Sequence, residues 1–211
     1  VKDMLPDDIV VLEMSSFQLM NMTVSPNIAV VTNVTPNHLD YHTDLEEYIE
    51  AKKCIFKSQN ENDILILNYD NPVTKEFENE AKGKVIFFSD QKRLDNGYIV
   101  DEGTVKFCEN KLRKHILNVR DVALIGKHNY QNICAALAAT ATLVDEETAK
   151  RVIIKFKGVP HRLELVKISK KDVRWYNDSA SSSPTRTISG IKSFYKKVIL
   201  IAGGYDKNLD Y

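Results

Sequence analysis

Ile28-Ala29-Val30-Val31-Thr32-Asn33-Val34 is the stretch on which the fold turns. It is apolar without strict alternation and rich in β-branched residues. That is the pattern of a strand covered on both faces, as in a parallel sheet between helical layers. Downstream, Asp44 to Lys57 carries apolar residues at helical spacing, and Ile64-Leu65-Ile66-Leu67 repeats the buried-strand pattern. Strand, helix, strand in this order is a βαβ unit, which points to an α/β fold with right-handed crossovers.

Outward from that unit, the same criteria predict strands at Ile9 to Met14, Val85 to Phe88 and Val198 to Ala202. They predict helices at Pro72 to Ala81, Asn129 to Leu143, Glu146 to Phe156 and Pro184 to Phe194. The fold class is therefore α/β, a mostly parallel sheet flanked by helices. Tyr98 to Ile125, with Gly97, Gly103 and the Glu109-Asn110 turn, reads as a small antiparallel patch. Lys157-Gly158-Val159-Pro160 ends a helix and begins a new strand-rich segment, so a domain boundary is expected between 157 and 158. The 54 residues after it (211 − 157) are short for a doubly wound domain of roughly 100 to 150 residues, so residues 158–211 are expected to be only its beginning. The chain opens at Val1 without an initiator Met and stops at Tyr211 just after a Gly-Gly turn. It is read as a piece of a longer protein.

The composition narrows the function classes. With 43% apolar and 27% charged residues, the 211-residue chain has the make-up of a globular protein. Lys+Arg and Asp+Glu both number 29, so no global field favours nucleic acid or an anionic membrane as partner. Cys54, Cys108 and Cys134 lack the spacing of a disulfide framework or a zinc site. No apolar run approaches the roughly 20 residues needed to cross a bilayer. A cytoplasmic, monomeric protein without membrane insertion is the expectation.

Some residues interrupt these patterns. Glu13 ends the expected strand Ile9 to Leu12, at the sheet edge where open α/β sheets bind ligands. His38 and Asp40, in Asn33-Val34-Thr35-Pro36-Asn37-His38-Leu39-Asp40, follow the next strand to the same edge, where an imidazole and a carboxylate could hold a divalent metal. Lys52 falls within the apolar stripe Leu45, Tyr48, Ile49, Ile55 and Phe56, on a helix expected to start with a Thr43-x-x-Glu46 capping box. A lysine there either snorkels outward or is chemically used, its pKa lowered by burial until the free amine can take up carbon dioxide as a carbamate. Asn129 and Asn132, three apart on a first helical turn, could cap the helix or read a nucleobase. Arg162 just after the hinge could clamp a phosphate or form a salt bridge. Asp178 ends another strand, where Ser183 as N-cap and Pro184 at N1 explain much of the serine run after it. Lys207 follows the Gly203-Gly204 turn and could bind a carboxylate. No G-x-x-x-x-G-K-[ST] occurs in the chain, so a P-loop, if the protein uses ATP, is expected before Val1.

Taken in order, Leu12-Glu13-Met14-Ser15-Ser16-Phe17-Gln18-Leu19, Asn33 to Asp40, Ala51-Lys52, His128-Asn129-Tyr130-Gln131-Asn132, Gly158-Val159-Pro160-His161-Arg162 and Asn177-Asp178-Ser179 resemble the Mur ligase family over nearly the whole chain. The Ser-Ser-Phe-Gln-Leu run is similar to the members that add D-glutamate. The resemblance implies an ADP-forming ligase of peptidoglycan synthesis that uses ATP and two Mg2+ ions, with UDP-N-acetylmuramoyl-L-alanine and D-glutamate as substrates. Residues 1–157 would be a central ATP-binding domain and 158–211 the start of a Rossmann-like domain, a fragment expected to be inactive alone. It further implies Glu13 and His38 as metal ligands, Lys52 as a carbamate, and Ser15 and Gln18 toward the UDP-linked substrate. Asn129, Asn132, Arg162 and Asp178 would meet ATP, and Ser182 and Lys207 D-glutamate. The family often has Asp-Ser-Lys-Ala-Thr-Asn where this chain has Asp178-Ser179-Ala180-Ser181-Ser182-Ser183, so the lysine is missing. Another Mur ligase, a folylpolyglutamate synthetase or a non-catalytic scaffold are the alternatives.

Overall fold

The structure, a computed structural model, describes residues 3–35 and 42–204. Its main body is a six-stranded sheet in the order β1 (Ile28–Val31), β2 (Ile64–Asn68), β3 (Lys84–Ser89), β4 (Gly97–Asp101), β5 (Thr104–Glu109), β6 (Leu112–Asn118). The first four strands run parallel, with Ala29 opposite Leu65 and Leu65 opposite Val85, and the last three form an antiparallel meander. The expected antiparallel patch is thus a continuation of the parallel sheet. Gly97 makes this join possible: its φ is +119°, and a Cβ there would lie 2.2 Å from the Phe87 carbonyl oxygen. Positive φ at Glu102-Gly103 and at Asn110-Lys111 closes the two hairpins.

β2 shows why the apolar run is continuous. Leu65, Ile66 and Leu67 are all fully buried. Leu65 and Leu67 face a cluster with Tyr48 and Phe56 of α2 (Leu45–Lys57) and with Phe77 in the 3-10 turn after α3 (Pro72–Glu76). Ile66 faces the other cluster, with Ile133, Cys134 and Leu137 of α4 (His128–Thr140). A strand between two helical layers has no polar face, and each such side chain contributes about 1.5–3 kcal/mol on burial. The small residues Ala135 and Ala138 let α4 lie across β1 to β4. α5 (Glu146–Lys155) packs on α4 and β6.

Residues beyond α5 form a separate two-stranded antiparallel sheet, β7 (Glu164–Ile168) and β8 (Arg174–Asn177), followed by α6 (Pro184–Lys192). α6 starts as expected, with Ser183 at the N-cap and Pro184 in the first turn.

Two expected strands are absent from the sheets. Ile9–Met14 and Val198–Ala202 have the sequence of interior strands but pair with no strand of either sheet. Val11 is 90% and Ile199 94% exposed. Apolar pattern alone does not make a strand; a neighbouring edge must take its N–H and C=O groups. The capping box of α2 is also displaced by one residue. Asp44 is the N-cap and its carboxylate accepts from the Glu47 N–H, while the Thr43 N–H and hydroxyl donate to Glu47 Oε2 at 2.6 and 2.9 Å.

Candidate active site

A short helix, α1 (Ser16–Leu19), begins three residues after Glu13 and packs against α2. Gln18 folds its side chain back so that Oε1 accepts from both the N–H and the hydroxyl of Ser15, at 2.8 and 2.9 Å. The carboxamide is held in place and its Nε2 remains a donor.

Between α1, α2 and α6 lies a cavity of about 360 Å3, whose lining includes Glu13, Ser15, Gln18, Tyr48, Lys52 and Arg186. Four residues singled out from sequence therefore meet in one place. Lys52 neither sits in the core with Phe56 nor snorkels to bulk water. It points off the buried side of α2 into this cavity, half-buried, with Nζ 5.3 Å from the centroid of the Tyr48 ring one turn earlier. Burial holds its pKa below the usual lysine value, and among the described residues it makes no ion pair. A lowered pKa raises the fraction of neutral amine, the form that nucleophilic addition requires.

At the cavity wall, the buried Ser16 hydroxyl and His42 Nε2 share a hydrogen bond of 2.8 Å, and the His42 ring packs edge-on against Tyr48. The sequence alone does not mark His42, and marks Ser16 only as part of the Ser-Ser-Phe-Gln-Leu run. A histidine in a polar loop carries no signal until its burial is known.

The other expected site residues lie apart from the cavity lining. Asn129 Nδ2 donates to the Ile125 carbonyl at 2.7 Å and Asn132 Nδ2 to Asn129 Oδ1 at 3.2 Å, so both amides are tied into the start of α4. Arg162 is exposed in a loop where its neighbours His161 and Leu163 both have positive φ, 68° and 44°. Asp178 holds that loop, its Oδ1 accepting the Leu163 N–H at 3.0 Å. Ser182 is exposed, its N–H donating to the Ala180 carbonyl. A Cβ on Gly126 would lie 2.5 Å from Ser193 Oγ, so the asparagine-bearing end of α4 abuts the end of α6. His38, Asp40 and Lys207 lie outside the described residues. Among the described residues no group of three or more His, Cys, Asp or Glu is placed to hold a metal, and no helix is long and apolar enough to cross a membrane.

The helix-flanked sheet has the fold of solved ligase structures. It superimposes on MurF from Acinetobacter baumannii with a TM-score of 0.63 at 20% identity, covering 80% of this chain and 37% of that one. It also superimposes on MurF ligase from Thermotoga maritima, a structure in complex with ADP, with a TM-score of 0.56 at 24% identity, covering 80% and 39%. The Mur ligase middle domain matches residues 2–140, and the chain belongs to the Mur ligase family. It is 49% identical over 211 residues to the UDP-N-acetylmuramoylalanine–D-glutamate ligase of Acetivibrio thermocellus, and 46% identical to that of Clostridium kluyveri. In both cases it is matched over its full length and spans 45% of the relative's length.

Proposed function

We propose that the protein to which this chain belongs ligates D-glutamate to UDP-N-acetylmuramoyl-L-alanine with cleavage of ATP to ADP, in peptidoglycan synthesis. The observation that carries this reading is the cavity itself. It gathers Glu13, Ser15 and Gln18 around a half-buried lysine that has no carboxylate partner among the described residues. The names of the relatives supply the substrates.

The terminal carboxylate of the UDP-linked substrate attacks the γ-phosphorus of ATP, giving an acyl phosphate and ADP. The D-glutamate amine then adds to the acyl carbon, loses a proton, and phosphate leaves as the amide forms. Each step brings anions together, so the residues must align reactants and offset charge. Gln18, through its Nε2 donor, and Ser15, whose hydroxyl oxygen can still accept while it donates to Gln18, are assigned to orient the UDP-linked substrate. Lys52 in its neutral form bonds to the carbon of carbon dioxide and releases a proton, becoming an anionic carbamate. Glu13 and that carbamate offer the hard oxygen donors that Mg2+ takes, and His38 is assigned to the second of two ions. The ions, when bound, neutralise phosphate charge. Asn129 and Asn132 at the start of α4 are assigned to the adenine. Arg162 and Asp178 are assigned to ATP across the junction near residue 157, between a central ATP-binding unit and the start of a Rossmann-like unit. Ser182 and Lys207 are assigned to D-glutamate.

The test is ADP release by the full-length protein with ATP and Mg2+. The reading requires release only when UDP-N-acetylmuramoyl-L-alanine and D-glutamate are both present. Equal turnover with L-alanine, a diamino acid or D-Ala-D-Ala in place of D-glutamate would overturn the specificity. No turnover with any of them would overturn the enzyme reading.

A further inference from the structure

Arg186 is not among the residues that the sequence marked, yet it reaches the cavity that holds Lys52 and Glu13. It comes from α6, in the segment after the two-stranded sheet, whereas the other lining residues come from α1, α2 and the residues just before α1. The first turn of α6 contains no acid, and among the described residues Arg186 makes no ion pair or side-chain hydrogen bond. Every other wall residue that carries charge is accounted for in the proposed reaction; this guanidinium is not.

A guanidinium is a planar fork of donors that stays charged at any working pH and matches the two oxygens of a carboxylate or phosphoryl group. At the cavity wall and without an ion pair among the described residues, it is suited to bind an oxyanion supplied by the ligand. Of the other lining residues, Gln18 offers only a neutral donor, the Ser15 hydroxyl proton is already given to Gln18 Oε1, and Glu13 repels anions. Once Lys52 carries a carbamate, Arg186 is the cationic side chain among the described lining residues. The geometry points to Arg186 as a substrate clamp that binds the reacting carboxylate of the acyl donor and the acyl phosphate it becomes. The inference rests on the ligase reading and deepens it by adding a residue from the second segment to the reacting end of the substrate. Among the described residues of this segment, Arg186 is the one that lines the cavity.

The experiment compares full-length wild type with Arg186→Ala and Arg186→Lys, measuring kcat and the KM of each substrate, with thermal melts to check folding. Arg186→Ala is expected to lower kcat/KM for the UDP-linked substrate by about tenfold to a hundredfold, the loss typical of one charged hydrogen-bonding partner. Arg186→Lys, which keeps the charge but not the fork, is expected to fall between. A change confined to the KM of D-glutamate overturns the inference, since the guanidinium would then meet the incoming amino acid and not the acyl donor. A folded Arg186→Ala enzyme with wild-type kcat and KM for every substrate overturns the inference while leaving the ligase reading intact. An inactive wild type overturns the ligase reading and this inference with it.

Discussion

Ser16 and His42, 26 residues apart in sequence, share a buried hydrogen bond of 2.8 Å between hydroxyl and imidazole. The bond joins α1, which carries Gln18 and follows Ser15, to the turn that leads into α2, which carries Lys52. Because α1 is a single turn, it has little cooperative stability of its own and depends on such ties for its position. Ser16→Ala is therefore expected to cost about 1–3 kcal/mol in urea unfolding, since it strips a partner from a buried imidazole nitrogen. It should also raise the KM of the UDP-linked substrate severalfold by loosening Ser15 and Gln18. Unchanged stability and KM would mean that packing of Leu19 alone positions α1.

Lys52 is the residue whose environment fits one chemistry best. Burial beside Tyr48 lowers its pKa, and it forms no ion pair among the described residues. Lys52→Ala is expected to abolish ligation while leaving the melting profile close to wild type, because the side chain fills the cavity wall and not the core. Wild-type activity should fall in carbonate-free buffer and return on adding bicarbonate. Carbon-13-labelled bicarbonate should give a carbamate signal that Lys52→Ala lacks. Full activity of Lys52→Ala would remove the lysine from the mechanism.

Much of this arrangement can be read from the chain before any fold is seen. Ile28–Val31 and Ile64–Leu67 are recognisable because a strand covered on both sides must be apolar at every position, and nothing in a loop or amphipathic helix mimics that. Lys52 is recognisable for the converse reason, since a charge inside an apolar stripe has to be explained. Ile9–Leu12 misleads because pairing is a property of two strands, and sequence describes only one. Thr43 and Asp44 are both good N-caps, so the pattern places the start of α2 only to within a residue. His42 and Arg186 are invisible for a different reason. Their meaning lies in what they meet, His42 at Ser16 and Arg186 at the cavity that Lys52 also lines, and that is set by packing between segments far apart in the chain.

Below the start of α4, Gln131 Nε2 donates to Asp90 Oδ1 at 2.5 Å and to Asp70 Oδ2 at 3.3 Å, drawing two carboxylates together. Burial, and then Asp70 beside it, push the Asp90 carboxyl above its ordinary value of 3.8, against the opposing pull of Gln131. Protonated Asp90 thus favours the folded state fully below pH 3.8, and that contribution is lost as pH rises through the raised folded value. Asp90→Asn keeps an acceptor for Gln131 and removes the like-charge contact. It is expected to raise stability at pH 7 by at most about 1 kcal/mol, since the site is partly exposed, or roughly 2–4 °C in a domain of this size. The gain should vanish as pH falls to about 4. A gain that persists there would point to a cause other than ionisation.

Gly190 gives a prediction whose sign is diagnostic. It lies inside α6, where replacing glycine by alanine ordinarily stabilises a helix by about 1 kcal/mol. Here a Cβ would lie 2.8 Å from Asp178 Oδ2, closer than real contacts allow. Asp178 cannot retreat freely, because its other oxygen holds the Leu163 N–H at 3.0 Å, and Leu163 and His161 sit in the left-handed region on either side of Arg162. Displacing the carboxylate loses a charged hydrogen bond worth about 1.5–3 kcal/mol and frees a strained loop. Gly190→Ala is therefore expected to destabilise the protein by about 1 kcal/mol net, against the helix preference. If Arg162 meets ATP from this loop, the same variant should raise the KM for ATP while leaving that of D-glutamate unchanged. Stabilisation by the substitution would show that Asp178 swings aside at no cost, and that the Leu163 contact does not hold the loop.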